Sequence, residues 1–463
     1  MSGPQLAEDT SENTGLVRNY AAAVSNSVHP HREILRLAVP AFLTLVAEPL
    51  FLLADSAIVG HLGTVPLAGL GVASAALLTA ANIFVFLAYG TTSVVARQIG
   101  AGRPLAALSA GLDGVWLATV IGAGAALVLA VFARPICSAF GASPEVLDQA
   151  TIYVRVSALG LPAMLVVLAA TGVLRGFQDT RTPLVAAVAG FGVNVVLNYL
   201  LVYPAGMGIA GAAWGTVIAQ TGMATGLLII VVRRARREGA SLRPHPGRVL
   251  HAAWGGLPLL VRTLALRAAF LLTTWVAAGF GDAPLAAHQV ALTIFGFLAF
   301  ALDALAIAGQ ALTGKSLGAG DVAGTKEATR IMLWWGWWAG VVLGGIILAL
   351  HQVLPRLFSP DEAVRDALAA ALVVVALGQP IAGLVFVLDG VLIGAGDGFA
   401  LAVVQVAVLV AYLPVLLLVR AHTADGGIGS LQLLWWSFTA FMAFRLIALW
   451  LRARTDRWLV VGA

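Results

Sequence analysis

Apolar residues fall in runs of twenty or more, broken by short stretches rich in Gly, Pro and charge. That pattern predicts twelve membrane-spanning helices. They lie near 34–59, 66–97, 105–132, 146–174, 182–203, 208–232, 250–278, 284–314, 322–350, 362–394, 398–420 and 428–451. At 1.5 Å per residue each is long enough to cross about 30 Å of hydrocarbon. The first run is too long for a secretory leader and is expected to stay as a span. Residues 1–30 ahead of it are polar and Ser/Asn/Ala-rich, and are expected to form a disordered cytoplasmic N-terminus.

Composition narrows the class. The 463 residues are 60% hydrophobic and 11% charged, with a mean hydropathy of +0.95, which excludes a soluble enzyme. One cysteine, Cys137, excludes a disulfide scaffold and a cysteine-held metal cluster. A net charge of +5 could suggest nucleic acid, but the basic residues form no patch. With twelve spans, 19 of the 27 Lys and Arg collect in the loops and tails of one side, and 5 on the other. The positive-inside rule then puts both termini in the cytoplasm. Arginine outnumbers lysine 25 to 2, a bias expected of a GC-rich bacterial genome and so of a bacterial inner membrane. Trp435 and Trp436 at one end of the last run, with Trp450 and Trp458 at the other, suit interfacial belts.

An internal repeat carries the most information. Pro66-Leu67-Ala68 recurs as Pro284-Leu285-Ala286, and Ile99-Gly100-Ala101-Gly102 as Leu317-Gly318-Ala319-Gly320. Pro40, Phe140, Pro162, Gly172, Gly176 and Asp179 recur as Pro258, Phe358, Pro380, Gly390, Gly394 and Asp397, every pair 218 residues apart. Matched loops keep the same sidedness, so the copies are parallel and each holds six spans. The expected architecture is an all-α polytopic membrane protein of twelve transmembrane helices. Two parallel six-helix bundles are related by a pseudo-twofold axis along the membrane normal, with a cleft between them suited to alternating access. The expected organisation is an N-lobe over 31–232, a basic cytoplasmic linker over 233–249, a C-lobe over 250–455 and a cytoplasmic tail over 456–463. The linker reads as a topology anchor, with anionic-lipid binding as its second reading.

Gly309–Ser316 matches the phosphate-loop pattern G-x4-G-K-S, but an apolar helix precedes it where that chemistry needs a strand. No metalloprotease, paired-cysteine or nucleophile-elbow motif occurs, so no enzyme, cofactor or metal is expected. Ionisable residues inside the spans are the functional candidates. Glu48 and Asp55 share a face of the first helix, about 10 Å apart along its axis. Asn194 and Asn198 on the fifth helix reach the depth of Asp55. Carboxamides beside a carboxylate can hold it charged, accept its proton in a hydrogen bond or complete the oxygen shell of a cation. Asp55 is therefore a candidate for reversible cation binding, and packing glue is the other reading of the two Asn. In the second copy Arg262, Asp303 and Asp389 are embedded at similar depth. They are expected to neutralise one another as a structural cluster, with a substrate site as the alternative. Glu48 and Arg267 each lie twelve residues before a repeat-related glycine, Gly60 and Gly279. They are candidates for an inter-lobe contact made in one conformation and broken in another, against pairing within their own lobes.

Several segments resemble the multidrug and toxic compound extrusion (MATE) transporters. Asp55 with Ile58-Val59-Gly60-His61-Leu62-Gly63 and Leu67-Ala68 is similar to that family's first-helix signature, and Leu174–Thr180 to its fourth-helix end. Ala286-Ala287-His288-Gln289, Leu302-Asp303, Gly314–Gly320 and Leu388–Ala395 resemble its DinF-type branch. The resemblance spans roughly 30–455 and implies two bundles forming a V, with drug/cation antiport. It implies that Asp55 is the coupling-ion carboxylate and that Asn194 and Asn198 are the fifth-helix polar pair. Some proton-coupled members carry Asp at the second of these positions, so Asn198 departs from the pattern. The resemblance also makes Pro40 a bend point of the first helix; Pro49 is a further kink candidate. The expected function is export of amphipathic or cationic drugs and xenobiotics in exchange for H+, or less favourably Na+, by a monomer among membrane lipids. A lipid-linked precursor flippase or a metabolite exporter on the same scaffold is the alternative, although a flippase would want a more basic cleft.

Overall fold

The computed structural model describes residues 30–423 and 428–462, so the expected disordered segment at 1–29 lies outside the described residues. Every regular element among the described residues is a helix. The first half contains α1 (Pro30–Gly60), α2 (Thr64–Phe84), α3 (Phe86–Gly100), α4 (Pro104–Ser138), α5 (Pro144–Ala158), α6 (Leu161–Gly176), α7 (Arg181–Val202) and α8 (Ile209–Arg237). The second half contains α9 (Pro246–Ala277), α10 (Asp282–Gly318), α11 (Val322–Leu350), α12 (Leu354–Phe358), α13 (Glu362–Gly394), α14 (Gly398–His422) and α15 (Ile428–Arg454). Eleven spans are long and apolar enough to cross a membrane, one of them α2 with α3, and the bent pair α5/α6 makes a twelfth. The short α12 was not foreshadowed by any apolar run.

Two expected spans are interrupted. The run at 66–97 breaks at Val85, between α2 and α3. The run at 146–174 bends by 51° between α5 and α6, where Gly160 precedes Pro162. Proline cannot donate to the carbonyl one turn back, so the helix stops and restarts there. The repeat mates Gly378 and Pro380 nevertheless sit inside the unbroken α13. There the stripe Gly336, Gly340 and Gly344 of α11 brings its backbone against Ala376, Gln379 and Gly383.

The two halves meet where α3 crosses α10. A Cβ built on Gly100 would collide with the Lys315 carbonyl, and one built on Gly318 with the Arg97 carbonyl. Gly100 and Gly318 are repeat mates, as are Arg97 and Lys315, so each contact is the image of the other and the axis passes through the crossing. Both helices run toward the same end, because Tyr89 meets Gln310 above and Gly100 meets Lys315 below. The copies are parallel. We term this end, which gathers most of the basic residues, the basic end.

Among the described residues, every hydrogen bond and ion pair joining the halves lies toward that end. Ser93 Oγ donates to the Gly394 carbonyl at 3.2 Å, and Lys315 Nζ to Gln178 Oε1 at 2.9 Å. Arg248 pairs with Asp113 at 3.1 Å. Arg97 Nη2 donates to the carbonyls of Val460 and Gly462 at 2.8 and 2.7 Å, tying the C-terminal strand of chain to the first half. The opposite end has no polar tie between the bundles among the described residues.

Valine at Gly318 should keep this crossing from closing. Overpacking costs roughly 1–3 kcal/mol, here falling on the closed arrangement alone. A cysteine at the buried Ser93 reports it, because the natural Cys137 is also buried. Maleimide labelling of Ser93→Cys should be slow with Gly318 present and faster in the Gly318→Val background.

Candidate functional site

α1 continues through both of its prolines. Pro40 has no N–H for the Arg36 carbonyl, and the Thr180 hydroxyl donates to that carbonyl instead, at a long 3.5 Å. Thr44 Oγ1 bonds the Pro40 carbonyl at 2.8 Å. The first helix thus carries a weakened rung four turns below Asp55.

Asp55 is 2% exposed. Asn198 Nδ2 on α7 donates to its Oδ1 at 2.6 Å, and the Tyr153 hydroxyl on α5 donates to its Oδ2 at 3.0 Å. Asn194, one turn deeper, turns instead to Thr216, donating through Nδ2 at 3.1 Å. The carboxamide oxygens of Asn194 and Asn198 are both enclosed without a donor. Three helices therefore bring one carboxylate, two donors and the idle oxygen of Asn198 together, with that of Asn194 one turn away. Reasoning from the sequence missed Tyr153. Its signal was a polar aromatic inside an apolar span, a residue type that buries its ring readily and needs a partner only for its hydroxyl.

The Asn198 oxygen presses on Gly215 of α8, where any Cβ would overlap it. Gly215→Ala should therefore push Asn198 off Asp55. Removing the Tyr153 hydroxyl is gentler: Tyr153→Phe deletes one bond to a charged acceptor, worth about 1.5–3 kcal/mol. With one donor to the charged form gone, the pH midpoint of transport should move upward, as a pH–rate profile would show.

The charges of the second half divide into two groups. Arg262 Nη2 donates to Asp389 Oδ2 at 2.7 Å, and Arg445 Nη2 of α15 donates to the same oxygen. Asp303 makes no ion pair with Arg262 or any other described residue. Its two oxygens accept the hydroxyl of Tyr89, from the first half, at 3.1 and 3.0 Å. Tyr89 and Arg445 were not anticipated as partners. Arg175, placed in a loop by the sequence pattern, is in the last turn of α6 and 7% exposed. Glu48 and Arg267 are both exposed, and neither belongs to an ion pair among the described residues.

The repeat separates the two sites. The mates of Asp55 and Asn194 are Thr273 and Tyr412, whose hydroxyls lie 3.1 Å apart, with Ser437 3.3 Å from Tyr412. The mates of Asp303 and Asp389 are Val85 and Thr171. One half holds a lone acid, and the other holds neutral hydroxyls at the matching place.

Known proteins agree with this architecture. The MatE family model matches residues 40–200 and again 258–418, two stretches offset by the 218 residues of the repeat. Protein DETOXIFICATION 44, chloroplastic, of Arabidopsis thaliana is 33% identical over 450 residues, covering 92% of this chain and 83% of the relative. DNA damage-inducible protein F of Escherichia coli K12 is 31% identical over 338 residues, covering 70% of each chain. Further relatives are named multidrug resistance proteins. A crystal structure of a Vibrio cholerae MATE transporter superposes with a TM-score of 0.83 at 22% identity, covering 93% of this chain and 98% of that one. Matched in both halves, and along nine-tenths of its length by a relative a third identical, this chain belongs to the MatE family of membrane transporters.

Proposed function

We propose that this chain is a secondary active antiporter that exports amphipathic organic compounds, cationic ones included, in exchange for H+. The observation that carries the reading is Asp55: a single carboxylate, almost wholly removed from water, within hydrogen-bonding distance of two donors, one of which, Asn198, keeps an idle carboxamide oxygen. Such an acid can take up and release a proton without large rearrangement. When Asp55 is ionised, Asn198 presents its N–H; when Asp55 is protonated, a turn of the carboxamide presents Oδ1 as acceptor. A sodium ion is the less favoured partner. It would have to displace both donors, whose hydrogens now point at the carboxylate, and find several oxygens in their place.

Neutralising Asp55 would release Asn198 and Tyr153 from a charged acceptor and change how α1 packs on α5 and α7. The weakened rung at Pro40 is where α1 would bend in response. On this reading the basic end is cytoplasmic, in a bacterial inner membrane, and the protein works as a monomer. The bundles 31–232 and 250–455 move as lobes, joined by the basic linker 233–249 and followed by the tail 456–463. Glu48 and Arg267 would come together when the open end closes. Arg262, Asp389 and Arg445 would serve as a fixed strut.

Proteoliposomes test the coupling directly. An imposed proton gradient should drive ethidium transport in sodium-free buffer, and a protonophore should collapse it. Ethidium movement that follows a sodium gradient at fixed pH would transfer the coupling to Na+.

A further inference from the structure

The crossing of α3 and α10 is held by more than its glycines. Arg97 and Lys315, repeat mates in the last turns of these two helices, each reach into the opposite half. Arg97 Nη1 donates to the carbonyl of Ala395, the residue that ends α13. Lys315 Nζ donates to Gln178 Oε1 at 2.9 Å, two residues past the end of α6. A cation at a helix C-terminus faces the negative end of the helix dipole, so each half supplies a cation to a helix end of the other. Gln178 has a left-handed φ of 61°, alone among the described non-glycine residues, and its repeat mate is Gly396 at 77°. The side chain that a glycine would lack is the one that Lys315 holds.

The tail breaks this symmetry. Its base belongs to the second half. Trp458 is buried and donates its indole N–H to the Ala453 carbonyl at 2.9 Å, and Asp456 pairs with Lys326 at 2.9 Å. From there the chain runs along the basic end to Gly462. The Gly462 N–H donates to the Leu317 carbonyl of α10 at 3.1 Å. Its carbonyl accepts from Arg97 Nη2 of α3 at 2.7 Å and from Arg97 Nε at 3.2 Å, and the Val460 carbonyl accepts from Nη2 at 2.8 Å. One residue therefore holds both helices of the crossing, by its N–H on one side and its carbonyl on the other. At the 218-residue offset the counterpart of 456–462 is 238–244, in the linker. There the Leu242 carbonyl takes the indole N–H of Trp116 at 3.1 Å, and no bond from that stretch reaches Lys315 among the described residues.

We propose that residues 456–462 form a latch that holds the basic end shut. α3 and α10 cannot part at Gly100 and Gly318 while Gly462 keeps a partner on each, so the tail must release Arg97 or Leu317 whenever that end opens. The inference rests on the antiport reading only for the idea that the basic end opens at all. The latch opposes one of the two changes of shape and leaves the far end free. Its bonds are few, and those of Arg97 are half-buried or exposed, so it biases the equilibrium without fixing it.

Maleimide labelling of Ser93→Cys, at equilibrium in nanodiscs with no gradient, reads how often the crossing opens. Ending the chain at Thr455 should speed labelling about tenfold or more, the worth of one or two lost bonds to a charged donor. Gly462→Pro removes the N–H that meets Leu317 and cannot adopt the φ of 88° found there. It should speed labelling severalfold, and it keeps Trp458, so it gives a result even if the shortened chain fails to fold. Arg97→Gln should also speed labelling, but by a much smaller factor once the tail is gone, because most of its bonds go to the tail. Chains that keep Ser93 are the control: their buried Cys137 should label slowly in every variant. Unchanged labelling of Ser93→Cys in both the shortened chain and Gly462→Pro overturns the latch. An equal rise at Cys137 also overturns it, since the whole fold would then have loosened. Either failure leaves proton-driven ethidium transport untouched, and coupling to Na+ instead of H+ would leave the latch standing.

Discussion

Asp55→Asn should abolish gradient-driven transport while leaving a folded protein. The substitution is nearly isosteric: an asparagine at position 55 can accept from one of the two donors and donate to the Tyr153 oxygen or to a turned Asn198 carboxamide, so the packing of α1, α5 and α7 survives. What is lost, on the proposed coupling, is the group that would change charge. For an uncharged passenger, a proton moving inward through 100 mV contributes about 2.3 kcal/mol, enough for roughly fifty-fold accumulation; for a cation such as ethidium the pH difference is the driving force. Proteoliposomes carrying the variant should show no accumulation above equilibration, whatever the imposed pH difference. Full gradient-driven accumulation by Asp55→Asn would remove the carboxylate from the coupling role.

The second large effect is on stability. Asp389→Leu leaves Arg262 and Arg445 buried with no counter-charge, and breaking a buried pair in this way costs about 3–5 kcal/mol. The purified variant should unfold at a clearly lower temperature than wild type. Arg262→Met alone should cost less, because Asp389 keeps Arg445. Replacing all three by apolar residues of similar volume should restore most of the loss, since the desolvation of three charges disappears with them. If the triple variant is stable and still transports, the cluster is a strut; if it is stable and inert, these charges also serve transport.

The legible part of the fold was the part set by one-dimensional patterns. Hydrophobic length fixed how many times the chain crosses, and the 218-residue offset predicted parallel halves before any contact was known. Asp55 and Asn198 could be paired by counting depth from the helix ends, because depth follows from residue number in a straight helix. Rotation about the helix axis does not, and it separates Asn194 from Asp55: one turn deeper, it faces Thr216 on α8. Tyr153 and Tyr89 escaped notice because a tyrosine in an apolar run reads as packing, and only the neighbouring helix reveals where its hydroxyl points. Arg175 was misplaced for a different reason. An arginine at the edge of an apolar run reads as a loop charge, but its long side chain turns inward from the last helical turn. The bend between α5 and α6 was equally hidden, since the same Gly-x-Pro signal lies in the unbroken α13.

The hydroxyl triad of Thr273, Tyr412 and Ser437 bears on the energetics of exchange. A second acid at that place would let each turnover carry two protons; with neutral groups there, the proposed coupling through Asp55 would carry one. A monovalent cationic passenger leaving as that proton enters then moves no net charge, so membrane voltage should neither speed nor oppose it. An uncharged passenger would make the same cycle electrogenic, and current across a voltage-clamped bilayer would distinguish the two.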